Sequence, residues 1–270
     1  MNVVSKLELP DVETEGTGAS FALKVSSDLL YENAHEVVEE VYSLLTSEPK
    51  KIVLDLADVG MIDSSGLKAL LQSQRLCEKA GAEFELRCVS ACVARVIRLS
   101  GFQGVFSLQD SRIPWPSRPI SELNTELAGW RTFERVVSSD PAMISVLREQ
   151  ISEAAVEAGA RDETLCDILI AVGEALTNAY KHGSPKKRTN TIQMRCTTTP
   201  KAVVVEIRDQ GMPFDPDAVG VPNPKRPRDH GMGIYLMRQT MDSVEFACNC
   251  PGNSVRMIKW LQPRPEPEAS

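Results

Sequence analysis

The pattern of apolar and polar positions divides the chain into two halves with different orders of elements. Up to residue 110, short apolar runs of about five residues alternate with longer stretches whose apolar positions recur every three or four residues. The first kind is typical of buried strands and the second of amphipathic helices. The predicted strands are 21–25, 52–56 and 84–88, and the predicted helices are 34–45, 65–79 and 92–99. This alternation predicts an α/β fold with helices packed on a sheet.

In the second half, helices and strands are grouped instead of alternating. The predicted strands are 130–137, 191–196, 203–208, 244–248 and 255–260, and the predicted helices are 141–157, 163–180 and 233–241. Grouped elements of this kind predict an α/β sandwich and not a doubly wound sheet.

Prolines mark the boundary between the halves. Pro114, Pro116 and Pro119 exclude a regular helix or a central strand there. The end of the chain is rich in proline and charge, which is typical of disorder. We therefore expect a first domain at 1–110, a linker at 111–125, a second domain at 126–262 and a disordered tail at 263–270.

Charge and hydropathy exclude some classes of function. The formal net charge is −7, and residues 1–110 carry 10 Lys and Arg against 17 Asp and Glu. Because an acidic half repels phosphates, we expect no direct contact with nucleic acid. No apolar run approaches the roughly 20 residues that span a membrane, and the N-terminus lacks the basic start and apolar block of a secretory signal. We expect a cytoplasmic protein without a membrane segment.

Three short patterns in the second half carry candidate chemistry. Glu174 and Asn178 are four residues apart in a predicted helix, so they share one face, roughly opposite an apolar stripe. Asp209-Gln-Gly211 follows a predicted strand, and Gly231-Met-Gly233 precedes a predicted helix. Each pattern alone is also typical of ordinary turns and buried polar residues. Their order and placement together predict a nucleotide site.

The residue types suit the parts of a nucleotide and its metal. The oxygen of Asn178 can join phosphate oxygens and waters around Mg²⁺, and the Glu174 carboxylate can orient or deprotonate an attacking hydroxyl. Asp209 can accept a hydrogen bond from an adenine amino group. The glycines at 211, 231 and 233 permit close backbone approach, the last two beside a phosphate at a helix N-terminus.

The segments EALTNAYKHG, DQGMPFDP and HGMGIYLMRQTMDSVEF resemble the N, G1 and G2 boxes of the gyrase/histidine-kinase ATPase superfamily. Within it, residues 130–260 resemble the anti-sigma-factor serine kinases, whose nucleotide-binding domain is a Bergerat-type α/β sandwich. The resemblance implies ATP and Mg²⁺ as cofactors, Glu174 as catalytic base, Asn178 as Mg²⁺ ligand and Asp209 as adenine contact. It also implies that Thr177 joins the adenine-side network. Sensor histidine kinases are excluded because the linker leaves no room for their paired dimerisation helices.

The same resemblance implies a lid over the phosphates at 213–230. Pro213 departs from the pattern, because many members of the superfamily have a second glycine there. Within the lid, Arg228 and the neighbouring basic side chains can neutralise charge on a transferred phosphoryl group. His230 can contact phosphate. A solvated basic loop is the alternative interpretation.

A second resemblance concerns the first half. Asp63, Ser64 and Ser65 are all good helix N-caps, which is their structural interpretation. However, VLDLADVGMIDSSGLKALL followed by ARVIRLSGFQGVFSL resembles the STAS domain of anti-sigma-factor antagonists, over residues 15–110. In that family the serine directly after Asp is phosphorylated, which implies Ser64 as phospho-acceptor. Lys68 departs from the small residue that many members have at this position.

Together the two resemblances predict a partner-switching regulator of transcription, in which an ATP- and Mg²⁺-dependent protein serine kinase is fused to an antagonist domain. The implied partners are a sigma factor or a separate STAS protein, a phosphoserine phosphatase and a second copy of the chain. Two alternatives are a nucleotide-gated binding module without phosphoryl transfer and a signalling scaffold.

Overall fold

The computed structural model describes residues 20–108, 131–183, 190–218, 231–248 and 252–261. The chain forms two compact units, and the first of them contains the described residues up to 108. The predicted linker at 111–125 and tail at 263–270 lie outside the described residues.

The first unit is a parallel sheet with a helix in each crossover. Its elements are β1 (Ser20–Lys24), α1 (Ala34–Leu45), β2 (Lys51–Asp55), α2 (Ser64–Ala80), β3 (Glu83–Arg87), α3 (Ala91–Leu99) and β4 (Ser107–Leu108). The four strands pair in chain order, all parallel. Because consecutive right-handed crossovers place their helices on one face, that face carries the core. Buried and half-buried residues accordingly alternate along β2.

The second unit is an antiparallel sheet with grouped helices. Its elements are β5 (Arg131–Ser138), α4 (Pro141–Glu157), α5 (Asp162–Lys181), β6 (Thr191–Thr198), β7 (Ala202–Asp209), α6 (Met232–Thr240), β8 (Ser243–Cys248) and β9 (Asn253–Trp260). The strand order is β5-β6-β7-β9-β8. This architecture confirms the predicted α/β sandwich.

The two faces of this second sheet differ in chemistry. Apolar side chains of β6, β7 and β9 are buried on the face that carries the helices. On the other face the register aligns one row of alternating charge across all five strands. The row is Glu134, Arg195, Glu206, Arg256 and Glu245. Because these side chains are exposed or half-buried, the open face is a solvated one.

Helix α5 is the centre of the second unit. It contacts α4, α6, β7 and β9, and every residue from Leu165 to Thr177 is buried. The expected one-sided apolar stripe is therefore only part of the pattern, because the polar side of α5 is covered as well. Among the described residues, no helix is both long enough and apolar enough to span a bilayer.

A buried ion pair ties α5 to the end of α6. Lys259 Nζ on β9 donates to Asp167 Oδ2 at 2.7 Å and to the Thr240 carbonyl oxygen at 2.7 Å. The two charged side chains are 15% and 4% exposed. An ammonium group at the last carbonyl groups of a helix is also favoured by the helix dipole. This contact fixes the C-terminal end of α6 against α5.

We expect Lys259→Met to lower the free energy of unfolding of the second unit by about 3 kcal/mol, because it leaves the Asp167 carboxylate buried without its ammonium partner. The double variant Lys259→Met/Asp167→Leu should recover most of that loss, since apolar side chains replace both charges. Guanidinium titrations measure both values. Arg195→Met, which removes an exposed pair with Glu134, is the control and should change the value by less than about 1 kcal/mol. Equal losses in the single and double variants would contradict the role of the pair.

Candidate functional site

One end of the site is built around Asp209, at the end of β7. Its Oδ1 accepts hydrogen bonds from the Gly211 amide at 2.7 Å and from Asn253 Nδ2 at 3.0 Å. Asn253 is its cross-strand partner and also donates to the Met212 carbonyl oxygen at 3.1 Å. Within the described part of the chain, no donor is placed on Asp209 Oδ2. The carboxylate is therefore held by one oxygen and presents the other as an acceptor.

Two glycines make room for this carboxylate. A Cβ at Gly183 would overlap the Cβ and Cγ atoms of Asp209. A Cβ at Gly211 would lie 2.6 Å from the His182 carbonyl oxygen. The turn after α5 and the turn after β7 thus pack backbone to backbone. Gly211 was predicted only to permit close approach at the nucleotide site, and Gly183 was not among the predicted site residues.

Asn253 is a second residue that the sequence analysis missed. It is 8% exposed, and its Oδ1 is buried without a hydrogen-bond partner among the described residues. Because an unpaired buried acceptor is costly, a donor from a ligand or from water is favoured there. The signal in the sequence is weak: an Asn after Gly252, at the start of the last strand.

The other end of the site lies where α6 begins. Gly231 is the N-cap of α6, with φ of 98°, and no side chain among the described residues caps the helix. A Cβ at Gly233 would overlap Glu174 Oε2 and would lie 3.4 Å from Asn178 Nδ2. The first turn of α6 therefore lies directly on the face of α5 that carries Glu174, the predicted base, and Asn178, the predicted Mg²⁺ ligand.

Burial differs along this face. Glu174 is 1% exposed and Thr177 5%, whereas Asn178 is half-buried. We expected the apolar stripe to leave both polar side chains open to a ligand, but α6 covers the carboxylate. The structure brings Glu174, Asn178 and Gly233 together.

The two ends are spaced along α5. Gly183, beside Asp209, comes five residues after Asn178 and nine after Glu174. At 1.5 Å per residue these offsets correspond to about 7.5 Å and about 13.5 Å along the helix. An extended nucleoside triphosphate has a comparable length. A nucleotide whose nucleobase lies at Asp209 would therefore have its phosphates near Asn178 and α6.

The donor set fits Mg²⁺ only together with phosphates. No group of three or more His, Cys, Asp or Glu side chains suited to a metal occurs in the described ranges. A single amide oxygen from Asn178, completed by phosphate oxygens and waters, is a common way of holding this ion. Of the predicted lid, residues 219–230 lie outside the described residues, including Arg228 and His230.

Residues 213–218, the part of the predicted lid that the structure describes, pack on β8. The Phe214 and Phe246 rings meet edge to face, with centroids 6.1 Å apart, and Arg238 pairs with Asp217 at 2.7 Å. Next to them, burial raises the pKa of the Cys248 thiol, and the Asp209 and Asp215 carboxylates raise it further. A thiol with a raised pKa is less often present as the nucleophilic thiolate.

In the first unit, Ser64 is the first residue of α2, and Asp63 is the N-cap. Asp63 Oδ1 accepts from the Ser65 and Gly66 amides at 2.7 and 2.9 Å, and its Oδ2 accepts from the Tyr31 amide at 3.1 Å. Asp63 is 3% exposed, whereas Ser64 is half-buried. Of the three candidate caps, Asp63 takes that role.

Known protein families match both units. Residues 11–112 match the STAS domain, and residues 137–259 match the histidine kinase-like ATPase domain. The serine-protein kinase RsbW of Bacillus velezensis is 30% identical over 137 residues, which cover 48% of this chain and 85% of that kinase. RsbW of Bacillus subtilis gives the same identity and coverage.

Solved structures resemble parts of the chain only distantly. The RsbU and RsbW domains of Rv1364c from Mycobacterium tuberculosis are 14% identical, with a TM-score of 0.35, over 48% of this chain and 32% of that one. Phosphorylated SpoIIAA from Bacillus is 16% identical, with a TM-score of 0.30, over 37% of this chain and 90% of that one. At these TM-scores the likeness carries no argument.

We expect the Asp209 carboxylate to select for the 6-amino group of adenine. Purine riboside triphosphate lacks that amino group, so the Asp209 carboxylate would have no donor from the nucleobase. This nucleotide should therefore bind about tenfold more weakly than ATP. In Asp209→Asn the amide offers a donor instead, so the two nucleotides should bind within about twofold of each other. Calorimetric titration measures both affinities. Asp215→Asn removes an exposed charge nearby and should keep the preference for ATP. A preference that survives in Asp209→Asn would contradict the assignment.

Proposed function

This chain belongs to the RsbW family of serine-protein kinases and carries a STAS domain ahead of its ATPase-like unit, and we propose that it is a partner-switching regulator. In this proposal the second unit transfers a phosphoryl group from ATP to a serine of a STAS domain. The observation that supports it most is the meeting of Glu174, Asn178 and the first turn of α6 in one place.

The polar groups of the candidate site, which are spaced along α5 and beyond its C-terminal end, support ATP binding. Asp209 Oδ2 accepts from the adenine amino group, and Thr177 supports the adenine side. The uncapped amides at the start of α6, at Gly231 and Gly233, receive the phosphates. Asn178 would hold Mg²⁺, which would supply neutralising charge for the phosphates. Arg228 and His230 of the predicted lid are proposed as further phosphate contacts.

The chemical step is an in-line transfer to a serine hydroxyl. The serine oxygen attacks the γ-phosphorus and forms a new P–O bond, and the bond from that phosphorus to the β–γ bridging oxygen breaks. ADP leaves with the electron pair of that bond. The hydroxyl proton passes to the Glu174 carboxylate, which acts as general base. Because Glu174 is 1% exposed, little bulk water can compete with the serine for the phosphoryl group.

We propose Ser64 as the acceptor, or the corresponding serine of a separate STAS protein. Ser64 is half-buried at the start of α2, and a phosphate there adds about −1.5 to −2 charges to the surface without entering the core. An unphosphorylated STAS domain would occupy the kinase surface that otherwise binds a sigma factor. Phosphorylation would weaken that contact, and a phosphoserine phosphatase would restore it. Kinase units of two chains would pair as a homodimer in the cytoplasm.

Because α6 covers Glu174, one alternative function is favoured, namely a nucleotide-gated binding module. If no serine reaches that carboxylate, the nucleotide only changes the affinity of the unit for a protein partner, and no phosphoryl group moves.

Incubation of the full chain with γ-labelled ATP and Mg²⁺, followed by mass spectrometry of the phosphopeptides, distinguishes these two functions. We expect label on Ser64 and none in Ser64→Ala, while the neighbouring Ser65→Ala keeps the label. Glu174→Gln, which preserves shape but removes the base, should slow the reaction by at least about a hundredfold while ATP still binds. Binding of ATP without label on this chain or on an added STAS protein would sink the kinase proposal and support the binding module.

A further inference from the structure

The helix that begins at Ser64 differs in charge from the domain around it. Residues 1–110 are acidic, and α1 carries Glu36, Glu39 and Glu40. By contrast, α2 carries three basic residues and one acidic residue. The basic residues are Lys68, Arg75 and Lys79, all of them exposed. A basic surface in an acidic domain thus begins one turn after Ser64.

A phosphate on Ser64 would find the nearest amides of the helix already taken. Asp63 Oδ1 accepts from the Ser65 and Gly66 amides, and its Oδ2 accepts from Tyr31. These two amides of the helix N-terminus are therefore in use. The phosphate would also have the Asp63 carboxylate beside it, so it needs a cation from elsewhere.

Lys68 has the right position and direction to supply that cation. It is four residues after Ser64, and residues at this spacing are neighbours on a helix surface, about 6 Å apart at Cβ. Helix side chains lean towards the N-terminus, so a lysine at position 68 can reach back towards position 64. An anion four residues before a lysine is also the favourable order of such a pair.

We infer that Lys68 is a positioning residue for phosphoserine 64 and forms an ion pair with the phosphate within α2. This inference rests on the proposal that Ser64 is the phospho-acceptor. The ammonium group favours the dianion of the phosphate, so it keeps the modification doubly charged near neutral pH. The acidic groups around this end of α2 act in the opposite direction. They are Asp63, Asp28, whose Oδ1 accepts from the Met61 amide, and Glu32 beside Tyr31.

The test is a phosphorus NMR titration of the full chain with phosphoserine incorporated at position 64 during translation. We expect the second phosphate pKa, which is ordinarily about 6, to be about half a unit higher in Lys68→Met than in the parent chain. Lys68→Arg keeps the charge and should keep the lower pKa. Lys79→Met removes the same charge about 16 Å further along the helix and should leave the pKa unchanged. The effect of Lys68→Met should shrink in 1 M salt.

The same pKa in Lys68→Met as in the parent chain would overturn the inference. Because translation supplies the phosphoserine, the titration does not depend on the second unit. A chain that fails to label Ser64 with ATP but shows the shift contradicts the proposed acceptor and leaves the ion pair intact. A chain that labels Ser64 with ATP but shows no pKa shift in Lys68→Met supports the proposed acceptor and contradicts the ion pair.

Discussion

The contact between Gly233 and the polar face of α5 is the constraint on which the rest of the second unit depends. Glu174 and Asn178 belong to the candidate site because the first turn of α6 lies directly on them, and any side chain at position 233 would occupy the space of the Glu174 carboxylate. At the other end of α6, Lys259 bonds both the Thr240 carbonyl oxygen and Asp167. The Gly233 contact and the Lys259 bonds fix α6 against α5 at both its ends. Asp209 continues the site beyond the C-terminal end of α5.

Much of the fold could be predicted, because apolar periodicity is strong in both halves. The three helices and three strands predicted in the first unit agree with the structure within one residue at each end. The two-residue strand β4 was missed, since two residues contain no periodicity to detect. In the second unit the pattern also identified every element, although α5, β6, β7 and β9 are each two residues longer than predicted.

The site was less predictable, because its contacts join distant parts of the chain. Asn253 and Gly183 meet Asp209 through strand register and a turn, neither of which shows in local sequence. The cover over Glu174 was also missed, since periodicity places a residue on a face of its helix but does not show what packs there. Asp63, the cap among three candidates, also accepts from the Tyr31 amide, 32 residues earlier. These are tertiary constraints.

The rate of Ser64 phosphorylation in Gly233→Ala is the most direct measure of the central claim. Alanine favours a helix, and position 233 lies within α6, so circular dichroism should show a folded chain. Its Cβ would displace Glu174, and a misplacement of about 1 Å predicts a rate roughly a hundredfold lower at saturating ATP. Gly104→Ala, where a Cβ meets nothing within 4 Å, should keep the full rate. A Gly233→Ala chain that phosphorylates Ser64 at the parental rate would contradict the claim that this contact builds the site.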